Sequence, residues 1–408
     1  MNVLIIGKKF SGLTNYLLEH GHTYTILRDI KTMEDPAKRL KNTVVCDFST
    51  RETILETVRS LKEKPDAVMC IYESYILPMA YIGEELGLPT IPVKAAEACT
   101  DKELMREAFA KSPKPISPDS HEAMSWEKVE AFANAHEFPL ILKPANLSKS
   151  LLVTKSLNMD ELKANWQRTM DQVDAVYKKY APDRTPKIII EEFLEGSVHS
   201  IDAFIDSEGK VYLITEGIVD YQTGYDIGYD DNFHYSRLIP SRLAGQDKED
   251  FLECAKLGCE ALGMKNSAAH IEIIMTKNGP RLVEIGARNG GYRERMYRAA
   301  NDIDIIGNAI KLAFGEMPDV EPKKHEPVAV LELFPKQAGE FTGIKNEEAL
   351  RVLPSLEYCS LKHEIGSHIG KSSDGYKATL IVMLHNSDAE QFQKDLEYIN
   401  NNVCVETK

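Results

Sequence analysis

In the stretch His270-Ile-Glu-Ile-Ile-Met-Thr-Lys-Asn-Gly-Pro-Arg-Leu-Val-Glu-Ile-Gly-Ala-Arg288, two glutamates stand where a pair of antiparallel strands would set them face to face. Both arms alternate in period two. Ile271, Ile273 and Met275 share one face and His270 and Glu272 the other, while Glu284 and Arg288 lie opposite Val283 and Ile285 on the return arm. A three-residue hairpin loop at Lys277-Asn278-Gly279, with Gly279 in the left-handed conformation, puts Glu272 directly across from Glu284. Like charges opposed on a ladder destabilise a sheet unless something positive sits between them. Two carboxylates on such a rigid support suit a hard cation such as Mg²⁺, which keeps some waters and takes its other ligands from a substrate's phosphates. The competing reading is a solvated acidic face, and the cations found elsewhere in the chain decide against it.

Lys143 ends the short apolar strand Phe138-Pro-Leu-Ile-Leu-Lys-Pro144 and would aim a fixed ammonium at whatever lies beyond, as phosphate sites require. Lys102 offers a second charge, or is an ordinary helix-surface lysine. Ile188-Ile-Ile-Glu-Glu-Phe-Leu-Glu-Gly196 ends a strand in a linker whose backbone donors and acceptors suit a planar base. Glu73 follows a predicted strand, where ligands of open α/β sheets bind, so it is a substrate contact or an exposed loop carboxylate.

These residues need a scaffold, and the chain supplies alternating signals for one. Strands at Val3–Ile6, Thr23–Leu27 and Ala67–Ile71 alternate with helices at Leu13–Glu19 and around Arg51–Lys62, which predicts a Rossmann-like domain over residues 1–95. Gly7-Lys-Lys-Phe-Ser-Gly12 lacks the middle glycine of a dinucleotide fingerprint and reads as a tight turn. Thr100-Asp-Lys-Glu103 has the form of a helix start with a Thr cap. Residues 96–320 then read as α+β, with a phosphate-loop part to about residue 190 and a metal-binding part beyond it. The Pro-rich and charged run 316–327 reads as a linker to a small C-terminal α+β domain over 321–408.

A chain of 408 residues with 43% hydrophobic content is long enough for two or three domains with cores of their own. Its net charge of −14 argues against a polyanion binder, so no nucleic-acid partner is expected. The seven cysteines are scattered with no Cys-x-x-Cys pair and read as reduced thiols. No apolar run approaches the ~20 residues a membrane span needs. The expectation is a cytoplasmic protein without a membrane partner.

Taken in order, Asp101-Lys102, Phe138 to Pro144, Glu191-Glu-Phe-Leu-Glu-Gly196, His270-Ile-Glu272 and Glu284-Ile-Gly-Ala-Arg-Asn-Gly-Gly291 resemble the ATP-grasp superfamily over nearly the whole chain. Within it the chain most resembles carboxylate–amine ligases of the L-amino-acid ligase type. The resemblance implies an ATP-grasp fold, with Lys102 and Lys143 on the α- and β-phosphates and the segment Glu191, Glu192, Phe193 and Leu194 around adenine. It also implies Glu272 and Glu284 on two Mg²⁺ or Mn²⁺ ions, and Arg288 as the catalytic residue stabilising the transferring phosphoryl group. The chain departs from the family pattern in three places. Its phosphate-covering loop is Ser- and Lys-bearing rather than glycine-rich, leaving Ser148, Lys149 and Ser150 as donors. The family's ribose glutamate is replaced by Val198, for which His199 could substitute, or His199 is a half-buried strand histidine. Gly286 stands where an asparagine is often found, so Asn289 is the alternative metal ligand.

The acceptor carboxylate is expected beside Arg288, with Gly290 and Gly291 allowing close backbone approach and Arg293 as a candidate clamp. The aromatic, acidic stretch from Asp220 to His234 reads as a glycine-hinged wall selecting an amine through Asp226, Asp230 and Asp231, with His234 at its end; a solvated loop is the competing reading. The function implied is an ATP-dependent ligase that joins a small carboxylate and an amine, amino acids among them, through an acyl phosphate; a homodimer is compatible with this class. Alternatives are thiol or bicarbonate chemistry on the same scaffold, a nucleotide-binding regulator, and, resting on the N-terminal fold alone, a nicotinamide oxidoreductase.

Overall fold

The computed structural model describes residues 1–33, 41–147, 151–182 and 184–408. The N-terminal strands β1 (Asn2–Ile6), β2 (Thr23–Asp29), β3 (Thr43–Cys46) and β4 (Ala67–Met69) form a parallel sheet in the order β3-β2-β1-β4. Val3, Leu4, Ile5 and Ile6 are all buried, as strands covered by helices on both faces must be. Helices α1 (Ser11–Glu19), α2 (Arg51–Arg59) and α3 (Ile76–Leu86) provide the cover, and a 3-10 turn at Glu73–Tyr75 leads into α3. After α4 (Val93–Thr100), helix α5 (Lys102–Phe109) is capped by Asp101, not Thr100. The Asp101 carboxylate accepts the Glu103 and Leu104 amides at 3.0 and 3.5 Å, while the Thr100 hydroxyl donates back to the carbonyls of α4.

The next layer is an antiparallel sheet of β5 (Ser120–Glu122), β6 (Leu140–Pro144), β7 (Thr154–Ser156) and β8 (Ile188–Glu192), in the order β5-β8-β6-β7. Helices α6 (Trp126–Ala135) and α7 (Met159–Tyr180) bury Leu140, Leu142, Ile188 and Ile190 on one face. Strand alternation therefore turns Lys143 and Glu191 to the opposite face.

The largest sheet contains β9 (Gly196–Ile205), β10 (Val211–Leu213), β11 (Val219–Thr223), β12 (His234–Ile239), β13 (Ser267–Thr276), β14 (Gly279–Gly286) and β15 (Val328–Leu333). Helix α8 (Gly245–Ala261) packs Phe251, Cys254 and Ala255 against Ile201, Ile271, Ile273, Leu282 and Ile285. Each such fully buried side chain stabilises the packing by ~2 kcal/mol. Helices α9 (Arg293–Asn301) and α10 (Ile305–Ala313) follow the hairpin. The C-terminal residues do not all build a separate unit: beyond β15, β17 (Leu356–Leu361) and β19 (Leu380–His385) continue the large sheet. Only β16 (Gly339–Lys345), β18 (His368–Ile369) and β20 (Cys404–Thr407) form a sheet apart, beside α11 (Glu347–Leu350) and α12 (Ala389–Asn402).

The stretch 220–234 is not a hinged loop along its length. It is strand β11, a 3-10 turn at Tyr225–Ile227 and the start of β12, paired antiparallel. Its alternation was masked because buried positions on these strands carry Asp220 and Ser236 rather than apolar side chains. All seven cysteines are free thiols, and no helix among the described residues is long and apolar enough to cross a membrane.

Candidate functional site

Glu272 and Glu284 are cross-strand partners on β13 and β14. The route to that register differs from the sequence reading. Thr276 pairs with Gly279, so the turn holds only Lys277 and Asn278, with Gly279 at φ +92°; a bulge at Val283 then restores the offset. The apolar face enforces the result. A one-residue slip would drive both carboxylates under α8 and bring Ile271, Ile273 and Ile285 out.

The charges needed to hold this pair converge from three other elements. Lys102, opening α5, places Nζ 2.8 Å from Glu284 Oε2 and 3.5 Å from the Leu147 carbonyl. Its positive charge holds the Glu284 carboxyl below the usual range, against burial and the charge of Glu272. Lys143 Nζ lies 2.5 Å from Glu191 Oε2. Burial, opposed by Glu191 but aided by the like charges of Arg106 and Lys102, brings the Lys143 ammonium down to about 8. Arg288 grips Glu73 with Nε and an amino nitrogen at 3.2 and 2.8 Å, joining the hairpin to the N-terminal sheet.

Behind Glu272 lies a network that sequence reasoning missed. His270 Nε2 is 3.3 Å from Glu272 Oε1, and its Nδ1 is 2.7 Å from Asp202 Oδ1. Burial would lower the His270 pKa, but Asp202 outweighs it and holds the imidazolium up to about 10; the imidazolium in turn keeps Glu272 well below the carboxylate range despite burial. Asp202 also accepts the Gly290 amide at 2.8 Å and Asn289 Nδ2 at 3.3 Å. Gly290 is needed for contact: a Cβ there would meet His270 Nδ1 at 2.5 Å. Gly291 faces open space.

The remaining sequence candidates divide clearly. Arg293 does not reach an open pocket: it is fully buried, donating to Ser200 Oγ at 2.7 Å and the Tyr221 hydroxyl at 2.8 Å, 3.7 Å from Asp202. His199 lies on the opposite face of β9 from Asp202 and Ser200, pairing across to Ile273 and sitting edge-on to Phe251 of α8. There it is bonded to Ser197 Oγ and Asp220, with both ring nitrogens engaged within the protein. Asp226 accepts the Thr223 amide and hydroxyl within its own turn, while Asp231 caps the Ser372 and Ser373 amides. Asp230, facing Lys371 at 3.6 Å, is almost wholly exposed. Asp226 and Asp231 are thus engaged with loop amides, and Asp230 is open to solvent. His234 does approach the hairpin: its ring centroid lies 4.4 Å from that of Tyr221 with the planes tilted by 57°, and burial lowers its pKa although Glu272 and Glu332 oppose this.

Glu191 and Glu192 end β8, and Phe193, Leu194 and Glu195 join it to β9. Glu191 is committed to a buried ion pair, Glu192 accepts the Asp119 amide at 3.0 Å, and the Phe193 ring lies 3.7 Å beneath Lys155 Nζ. Leu194 is partly buried beside them. Ser148, Lys149 and Ser150 lie outside the described residues.

Residues 136–294 match the model of the ATP-grasp domain. The alanine–anticapsin ligase of Bacillus subtilis (strain 168) is 32% identical over 251 residues, covering 59% of this chain and 52% of that one; the chain spans about half the length of the curated relatives it matches first. Among solved structures, the L-amino acid ligase from Bacillus licheniformis superposes with a TM-score of 0.77 at 18% identity, covering 100% of this chain and 98% of that one. Phosphoribosylglycinamide synthetase from Anaerococcus prevotii gives 0.70 at 18%, with 100% and 99% covered. The hairpin with its paired glutamates falls inside the matched segment, and the structural likeness runs from end to end: the chain carries an ATP-grasp domain and has the ATP-grasp fold.

Proposed function

We propose that the chain is an ATP-dependent ligase that joins a small carboxylate to an amine, with amino acids as the substrate class. The observation that carries this reading is the opposed pair Glu272 and Glu284, with Lys102 bonded to Glu284 and the charges of Lys143 and Arg288 helping to hold the two carboxylates ionised. A site of lysines, arginine and ionised carboxylates suits phosphoryl transfer, which depends on positioning and charge neutralisation more than on acid–base groups.

The donor set fits Mg²⁺ or Mn²⁺. Both glutamates are oxygen donors held ionised, and Asn289, whose amide nitrogen is taken by Asp202, keeps its side-chain oxygen as a further candidate donor. Bound ions, two in this reading, supply charge neutralisation on the phosphates. The residues do the rest. Lys102 leaves Glu284 for a phosphate oxygen, Lys143 holds a second one, and the linker from Glu191 to Leu194 receives the base. A substrate carboxylate displaces Glu73 from Arg288 and attacks the γ-phosphorus, breaking its bond to the bridging oxygen and releasing ADP. Arg288 stays on the resulting acyl phosphate. The amine then attacks the acyl carbon, phosphate leaves, and the amine proton is lost. Glu73, freed from Arg288, becomes a carboxylate available to the ammonium group of a substrate.

A matrix of carboxylates against amines, assayed for ADP release with Mg²⁺, should show turnover that requires both partners. ATP binding without turnover for any pair would sink the ligase reading in favour of a regulatory nucleotide site. The Lys143 environment adds a pH expectation. Its ammonium is present below about 8 and lost above it in the free protein, so ATP affinity should fall as pH rises through that value, by up to about tenfold per unit. Titrating ATP binding between about pH 7 and 9.5 checks this; a flat profile removes Lys143 as a phosphate ligand.

A further inference from the structure

Arg106 occupies a place in this site that the sequence motifs do not mark. It lies one helical turn beyond Lys102 on α5, and its side chain is only 4% exposed. Its Nε donates to Glu191 Oε1 at 2.8 Å, and one terminal nitrogen donates to the Val283 carbonyl, also at 2.8 Å. Val283 is the bulged residue directly before Glu284. The other Glu191 oxygen holds Lys143 at 2.5 Å, and the second terminal nitrogen of Arg106 is buried without a partner among the described residues.

The charge balance of this group is informative. Lys143 and Glu191 alone would form a self-neutralised pair, and a lysine so paired offers a phosphate little. With Arg106 on the far side of the same carboxylate, the three side chains carry one net positive charge. That surplus lies within reach of the open side of the site, because Lys143 is the member left partly exposed, at 11% against 4% for the other two. The fork geometry explains why an arginine serves here: one planar group meets a carboxylate and a carbonyl on two different sheets.

We propose that Arg106 is a positioning residue for nucleotide binding: it neutralises Glu191 from behind, so that Lys143 carries its charge to the phosphates, and it ties β8 and Lys143 to the strand that bears Glu284. This rests on the reading of Lys143 as a phosphate ligand. The test is MgATP binding by calorimetry to the full chain, with thermal melting to establish folding. Arg106→Gln keeps a donor for the Val283 carbonyl but removes the charge, and should weaken MgATP binding by about tenfold to a hundredfold. Arg106→Lys keeps the charge but loses the fork that also holds the Val283 carbonyl, and should bind MgATP between the parent protein and R106Q, less than about tenfold more weakly than the parent. The double variant R106Q/E191Q removes the carboxylate that then captures Lys143, and should bind more tightly than R106Q alone. A purely structural role for Arg106 gives no such rescue. Parent-like binding by R106Q, equal losses in R106K and R106Q, or a double variant no better than R106Q each overturns the proposal. If R106Q does not fold, R106K decides alone: a loss of tenfold or more in that variant overturns the proposal, and a smaller loss supports it. Absence of MgATP binding to the parent protein would instead defeat the nucleotide reading on which this one stands.

Discussion

Replacing Glu284 by glutamine should abolish ADP formation while leaving the fold intact. The substitution preserves shape and the hydrogen bond to Lys102 but removes a charge that the site is built to hold ionised. Loss of a metal carboxylate removes several kcal/mol of charge stabilisation in phosphoryl transfer, and each ~1.4 kcal/mol is a factor of ten, so turnover should fall by about 10³ or more. Thermal stability should change little, since the register at this point is set by Ile271, Ile273 and Ile285 on the other face. The measurement is ADP release with Mg²⁺ beside a melting curve. Near-normal turnover would remove Glu284 from the metal site.

Arg288→Ala should be comparably severe but divided differently between the kinetic constants. Arg288 is placed to hold the group in transfer, whereas Lys102 and Lys143 hold the rest of the nucleotide, so kcat should drop by about 10³ while KM for ATP moves little. Arg288→Lys should recover only part of this, because a lysine lacks the fork that now spans Glu73 with two nitrogens. The same experiment separates Arg288 from a merely architectural clamp. If Glu73→Gln, which weakens the contact from the other side, matched Arg288→Ala in kcat and in melting temperature with KM for the amine unchanged, Arg288 would be a structural brace and not a phosphoryl contact.

How much of this was legible beforehand depended on the range of the interactions involved. The Glu272 and Glu284 pairing was readable because a hairpin is local and period two is strict, although a shorter turn and a bulge at Val283 reached the same register as the longer loop expected. The β13 arm was equally readable, having a continuous apolar stripe, whereas on β14 the bulge breaks the stripe between Leu282 and Ile285. The two readings of His199 stayed open in the sequence because its face depends on where β9 begins, and Ser197 and Ser200 give no apolar mark of which side is buried. Arg293 looked like one of several arginines at a helix start, and nothing in its neighbourhood along the chain announces that Ser200, Asp202 and Tyr221 close over it. Arg106 carried no signal beyond its helical spacing from Lys102.

The chain by itself determined the ladder that opposes two carboxylates, the lysine at a strand end and the arginine after the hairpin, because alternation and turn chemistry act between residues close in sequence. Tertiary structure alone decided which partner each charge takes: Lys102 on Glu284, Arg288 on Glu73, Arg106 between Glu191 and Val283, and His270 between Asp202 and Glu272. Those pairings span up to 215 positions of chain. A buried charge must find its counter-charge wherever packing brings one, and the sequence order of the two carries no trace of that requirement.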